Sequence, residues 1–414
     1  MTYPAIIDRL VAEHKQGFAL PREFYTSAEI YEHDIAAYWN RNWIWVGHVS
    51  QIPNPGDYFL FDYANESIIV VRDGEGEVRA HLNICRHRGS RVCVEQSGNA
   101  RSFVCPYHAW TFELSGALRA GRAMGPDFDP GKWGLFPAQV RVFEGLIFIC
   151  AGPDAPDIED GLAQLAPLVA PFGLARTKVV HTASYPVPAN WKLALENYME
   201  CYHCAPSHVD YARSHTIKAP KDAETLMPAL EERSRSVGLP ATKVHLSGLT
   251  TGKPGADFYY RRYPLYDGYE TGSQSGAPLA PLLGDLGGFD GGATDLSIGQ
   301  VNNFLIYADH AVGYRFVPRG VQETDIQVVW LVHEGAEEGR DYNRDDLTWL
   351  WHVTSLDDER IIRHNQQGVN SHFFQPGPLA EMEQGIRGFY ASYLAVITHD
   401  PQSPHRQAQR IAAV

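Results

Sequence analysis

The chain has 414 residues, 44% of them hydrophobic and 20% charged, with a net charge of −14. That is enough for two domains and a large core in an ordinary soluble protein. The negative balance argues against nucleic acid and anionic membranes as partners and is compatible with a cationic ligand or a basic redox partner. No segment has the pattern of a secretory leader or the apolar length of a membrane span, and the cysteines show no disulfide-like spacing, so a cytoplasmic setting is expected. In chain order, Thr26-Ser27-Ala28-Glu29 has the form of a capping box opening a helix through Ile35, Tyr38 and Trp39. From Trp43 to about Cys150 short apolar or alternating runs (58–61, 67–71, 145–149) are broken by turn signals at 73–76 and 115–116, which predicts an all-β module.

Inside that module stand Cys85-Arg86-His87 and Cys105-Pro106-Tyr107-His108, a C-x-H and a C-x-x-H separated by seventeen residues. Two thiolates and two imidazoles in this order are the ligand set of a Rieske [2Fe–2S] cluster, where two cysteines hold one iron and two histidines the other. Zinc accepts the same atoms, but zinc sites usually pair like with like along the chain. Here each arm holds one Cys and one His, so each loop reaches both irons. Gly89, and Pro106 with Tyr107, suit the tight loops that would present these ligands.

Residues 153–156 read as a linker, and beyond it the chain mixes helices and strands. A helix is predicted over about 190–205, strands at 303–307, 314–317 and 325–332, and a long helix over about 344–367; the Gly/Pro/Ala-rich stretch 270–296 reads as a loop. On the first helix Glu200 and His203 share a face, and Pro206 would end it and let His208 swing back. Two histidines and one carboxylate make the facial triad of non-haem Fe(II) oxygenases. The carboxylate is sought at 357–359, where Asp358 falls on the stripe Leu347, Trp351, Thr354, Ile361, Ile362 and Asn365, with Asp357 as the alternative. Cys201 and Cys204 form a C-x-x-C that reads as two partly buried helix thiols rather than a redox pair.

With these two sites, the chain resembles Rieske non-haem iron oxygenase α-subunits over nearly its full length, on 85–91, 196–204 and 366–378. Within them it is similar to the group acting on quaternary ammonium compounds, such as stachydrine and glycine betaine demethylases. Asn197 precedes Glu200 by three, whereas ring dioxygenases usually carry Asp one residue further on. The resemblance implies an α+β protein: an N-terminal helical segment (1–42) packing with the catalytic domain, an all-β Rieske domain (43–155), and a helix-grip-like catalytic domain with antiparallel sheet (156–414). It implies a homotrimer in which Glu200 links one subunit's iron ligand His203 to a neighbour's His108, and a flavin and iron–sulfur reductase delivering electrons from NAD(P)H. It also implies dioxygen-dependent N-demethylation of a small quaternary amine; monooxygenation or O-demethylation of an aromatic acid is the alternative. Rings for such a cation are sought in 258–266 and at Phe304, Tyr307, Tyr314 and Phe316, of which Tyr260, Tyr263, Phe304, Tyr307 and Phe316 are the ones expected around it, and Arg261 or Arg262 would pair with a substrate carboxylate.

Overall fold

A computed structural model describes residues 5–253 and 255–398. Residues 1–4 and 399–414 of the expected outer segments lie outside it. The first half forms a seven-stranded antiparallel sheet whose outer members include Ile44–His48, Leu146–Cys150 and Pro137–Phe143; a three-stranded sheet (Phe103–Val104, Thr111–Phe112, Leu118–Ala120) sits beside it. Asp73 closes one hairpin by accepting from the Glu75 and Glu77 amides, and Gly116 closes another at φ +88°.

A second seven-stranded antiparallel sheet forms the other half. Its order is Thr177–Val187, Glu323–His333, His310–Gly320, Asn302–Ile306, Gly292–Ile298, Phe258–Pro264 and Lys243–Leu246. Both of its faces are covered. On one lie the helices Trp191–Tyr198 and Arg344–Val369, the latter buried along Leu347, Leu350, Trp351, Thr354 and Ile362. The other face meets the helix Glu159–Val169 and the Trp45 ring, which packs edge-on to Phe304 at 4.7 Å; Gly313 leaves room for that indole. The α+β architecture is the expected one.

Three local expectations are corrected. Ser27, not Thr26, caps the helix Ala28–Ala37, by accepting from the Ile30 amide. The stretch expected to be a loop becomes the strand Gly292–Ile298 at its end. The helix expected over 190–205 stops at Tyr198, and Pro206 lies inside a separate one-turn helix, Cys204–Ser207.

The N-terminal helices are fastened to the second half through one buried charge pair. Asp34 accepts from Lys192 Nζ, from Tyr393 Oη–H and from Trp191 Nε1–H, and both charged side chains are fully buried. Asp34→Ala strands the Lys192 ammonium in the core, an arrangement that costs about 3–5 kcal/mol. The expected result is a clearly lower urea midpoint of unfolding, and an unchanged midpoint would mean that the pair does not hold the segment.

Candidate functional site

The two cysteine–histidine loops share one backbone design. In each, the amide four residues on donates to the cysteine carbonyl (Gly89 to Cys85, 2.9 Å; Ala109 to Cys105, 3.0 Å). In each, the cysteine amide donates to the carbonyl five residues on (Ser90 and Trp110, both 2.8 Å). The fourth residue must be left-handed, φ +81° at Gly89 and +57° at Ala109. Cys85 and Cys105 are buried and carry free thiols, while the His87 and His108 rings meet at the surface with centroids 4.6 Å apart. The four groups fit a Rieske cluster: unbridged thiols inside and two converging imidazoles outside, at the end through which an electron would leave.

The second cluster forms where the Trp191–Tyr198 helix breaks. The Met199 amide is shared between the Leu195 and Glu196 carbonyls, and Glu200 then folds its carboxylate back onto the Tyr202 and His203 amides. A side chain that satisfies backbone donors in this way replaces a helical turn. Its other oxygen accepts from His203 Nδ1–H at 2.5 Å, which fixes the tautomer and turns Nε2 inward. His208 Nε2 lies 3.0 Å from His203 Nε2, and Asp358 Oδ1 lies 3.0 Å and 3.5 Å from these two nitrogens. The two inward nitrogens stand at hydrogen-bond distance from each other, while Asp358 Oδ1 is buried without a hydrogen-bond partner among the described residues. Imidazole–metal bonds of about 2.1 Å at right angles separate ligand atoms by about 3.0 Å, so this donor set fits a metal bound on one face. Asp358 turns into this centre with 15% of its side chain exposed; Asp357, 38% exposed, stands 3.6 Å from the outer nitrogen of His208 instead. Asn197 Nδ2 approaches His203 Nε2 at 3.4 Å.

Cys201 and Cys204 are joined as a disulfide, contrary to the expectation of two thiols. The helix break brings their Cα atoms to 4.9 Å, within bridging range, which consecutive spacing alone did not reveal.

The triad opens onto a cavity of about 610 Å³ lined by Tyr198, Tyr211, Tyr259, Tyr314 and Trp351, with Arg261, Asp295 and Asn303. None of the five rings expected there lines it. Tyr260 and Phe304 point to the opposite face of the sheet, where Tyr260 Oη–H donates to the Pro240 carbonyl and Phe304 meets Trp45. Tyr307 lies behind Tyr211, bonded to His215, with Tyr263 beside that imidazole, and Phe316 backs Tyr314 and Tyr198. Arg262 is fully buried in an ion pair with Asp290, so Arg261 is the arginine that faces the cavity.

Sequence reasoning missed Asp295. Among the described residues it makes no hydrogen bond and no ion pair, and burial pushes its carboxyl up to about 7, opposed by Arg261. Tyr259, from its own sheet, and Tyr198, Tyr211, Tyr263 and Tyr307 all feel its charge. Against an unfolded value of about 3.9, the folded state holds this proton more tightly. Its unfavourable effect on stability therefore grows as pH rises from about 4 to about 7 and is complete above that. Asp295→Asn is expected to raise the unfolding temperature of ligand-free protein at about pH 8 and leave it unchanged at about pH 4. A lower unfolding temperature at the higher pH would show that Asp295 is structurally paired.

Residues 42–144 match the family model "Rieske [2Fe-2S] domain", and residues 174–264 and 302–399 match "Ring hydroxylating alpha subunit (catalytic domain)". The chain is 33% identical over 391 residues to the glycine betaine monooxygenase oxygenase subunit of Chromohalobacter salexigens, covering 93% of this chain and 87% of that protein. It is 35% identical over 208 residues to the carnitine monooxygenase oxygenase subunit of Acinetobacter pittii, covering 48% of this chain and 54% of that one. Among solved structures, a quaternary ammonium Rieske monooxygenase in complex with γ-butyrobetaine superposes with a TM-score of 0.68 at 23% identity, over 95% of this chain and 99% of the other. A naphthalene 1,2-dioxygenase with indole in its active site does so with a TM-score of 0.66 at 20% identity, over 93% of each chain. These two likenesses are of fold. Taken with the paired loops and the two-histidine, one-carboxylate centre, the match over nearly the whole length places this oxidoreductase in the Rieske non-haem iron oxygenase α-subunit family.

Proposed function

We propose that the chain is the terminal oxygenase of a two-component N-demethylase acting on a small quaternary ammonium compound such as glycine betaine or proline betaine (stachydrine). The observation that carries the reading is the cavity beside the triad, walled by tyrosine and tryptophan rings. A quaternary ammonium has no N–H to donate, so it is held by aromatic faces, each well-placed ring contributing about 0.5–2 kcal/mol. Cys85, His87, Cys105 and His108 would hold the cluster, and His203, His208 and Asp358 the mononuclear iron. When bound, these groups supply single electrons and, with dioxygen, the hydroxylation of an N-methyl carbon.

The chain's own residues do the rest. The rings orient the cation and exclude water, which lets one methyl be presented to the triad. Glu200 keeps the proton on His203 Nδ1 and leaves Nε2 free for metal. The hydroxylated methyl leaves as formaldehyde. The balance is R₃N⁺–CH₃ + O₂ + NAD(P)H + H⁺ giving R₃NH⁺ + HCHO + H₂O + NAD(P)⁺, with a flavin and iron–sulfur reductase passing the electrons.

A head-to-tail homotrimer in the cytoplasm completes the reading. Each metal site is flanked by exposed apolar side chains: Val94, Val104 and Tyr107 near the cluster, Tyr202, Val209 and Leu356 near the triad. No helix among the described residues is long and apolar enough to cross a membrane. The test is a panel of methylated amines and aromatic acids with a surrogate reductase. Formaldehyde from a betaine, in step with NAD(P)H oxidation, is the expected result. Product from an aromatic acid alone would overturn the substrate class.

A further inference from the structure

The sheet register sets three charges in one row on the cavity side. Lys243 lies opposite Arg261, and Arg261 opposite Asp295, across three antiparallel strands about 4.8 Å apart. Directly opposed residues share a face of the sheet, and all three line the cavity. The row runs from exposed Lys243 at the sheet edge, through half-buried Arg261, to Asp295 among the tyrosines. Tyr211 and the triad's Asp358 line the same cavity as Asp295.

A half-buried carboxylate without a partner is costly to keep, and a cation arriving in the cavity removes that cost. Arg261 likewise makes no ion pair among the described residues, although Asp295 is its strand neighbour. The Arg261 charge acts on Asp295 through space without closing an ion pair among the described residues.

We propose that Asp295 is the counter-ion of the substrate's ammonium and that Arg261, with Lys243 outside it, docks the substrate's carboxylate, so that the site selects zwitterionic betaines over simple cations. This rests on the reading of the cavity as a quaternary-ammonium site. The ammonium points inward, toward Tyr211 and the triad, and the carboxylate points to the sheet edge. An aromatic acid, carrying only the negative end, meets Asp295 unfavourably wherever it lies deep.

The experiment is calorimetric binding to anaerobic holoenzyme, which cannot turn over. The probes are glycine betaine, proline betaine, L-carnitine, choline (the cation without the carboxylate) and 3,3-dimethylbutanoate (the betaine shape without the positive charge). Asp295→Asn is expected to weaken the betaines and choline by at least about tenfold and to leave 3,3-dimethylbutanoate no weaker, as when one partner of a buried charge pair is lost. Asp295→Glu, which keeps the charge, should restore most of the affinity. Arg261→Gln is expected to weaken the betaines by at least about tenfold and choline by less than about twofold. Retained cluster absorption and circular dichroism confirm that each variant is folded. Betaine affinity unchanged in Asp295→Asn, or choline weakened as much as betaine in Arg261→Gln, overturns the assignment while the N-demethylase reading stands. Wild-type protein that binds none of the methylated ammonium probes overturns both.

Discussion

His108→Ala is expected to abolish the visible absorption of the cluster. The four candidate ligands converge from two loops of one design, with the cysteines inside and the two imidazoles meeting at the surface. Removing one imidazole leaves the outer iron a single protein ligand on that side, and nothing nearby replaces it: the neighbouring rings are Tyr107 and, stacked on His87, Trp110. Iron content should fall from about three atoms per chain to about one. His203→Ala is the matched control. It should keep the cluster spectrum, lose about one iron per chain and lose turnover. If His203→Ala bleached the cluster, or His108→Ala left it intact, the division of ligands between the two sites would be wrong.

Glu200→Gln is expected to uncouple the two sites without emptying either. The carboxylate now takes three donors: the Tyr202 and His203 amides on one oxygen and His203 Nδ1–H on the other. A glutamine keeps the shape and one acceptor oxygen, but its amide nitrogen cannot accept and it carries no charge to polarise the imidazole. Either the turn loses its backbone bonds or the imidazole loses its orienting partner. A group in this position is worth about 10–100-fold in activity, and if Glu200 also bridges electron transfer from a neighbour's His108 to the iron the loss is larger. The reductase should still reduce the cluster at the normal rate. Normal cluster oxidation and normal product yield in a single turnover of the pre-reduced variant would show Glu200 to be an ordinary turn residue.

Much of the site was legible because ligand spacing survives errors in local structure. Cys85 to His108 could be read from residue types alone. His203 and His208 could be named although the helix expected to carry them ends at Tyr198, since the turn that Glu200 builds brings Glu200 and His203 together as a helical turn would. Asp358 was separable from Asp357 because a helix fixes which side chains share its buried stripe, and this helix is long and regular. The cavity rings were not legible. In a strand a shift of one residue exchanges the two faces, and here both faces are buried, one under helices and the other under Trp45 and the helix Glu159–Val169. Alternation therefore marks two faces without saying which one looks into the cavity. Tyr259 was passed over for Tyr260, and Arg261 could not be told from Arg262, on that account. Asp295 sits at the end of a Gly/Ala-rich run where no periodicity announces a strand, and only pairing with Arg261 reveals its position.

The most direct measurement is a single turnover of the oxygenase alone. Holoenzyme is reduced chemically, freed of reductant and mixed with aerated betaine, and formaldehyde, the demethylated amine and the cluster spectrum are followed together. Formaldehyde and the demethylated amine are expected to appear in equal amounts, up to about one per mononuclear iron site, while the cluster returns to its oxidised spectrum. Cluster oxidation without formaldehyde from any betaine, together with oxygenated product from an aromatic acid under the same conditions, would contradict the N-demethylase reading.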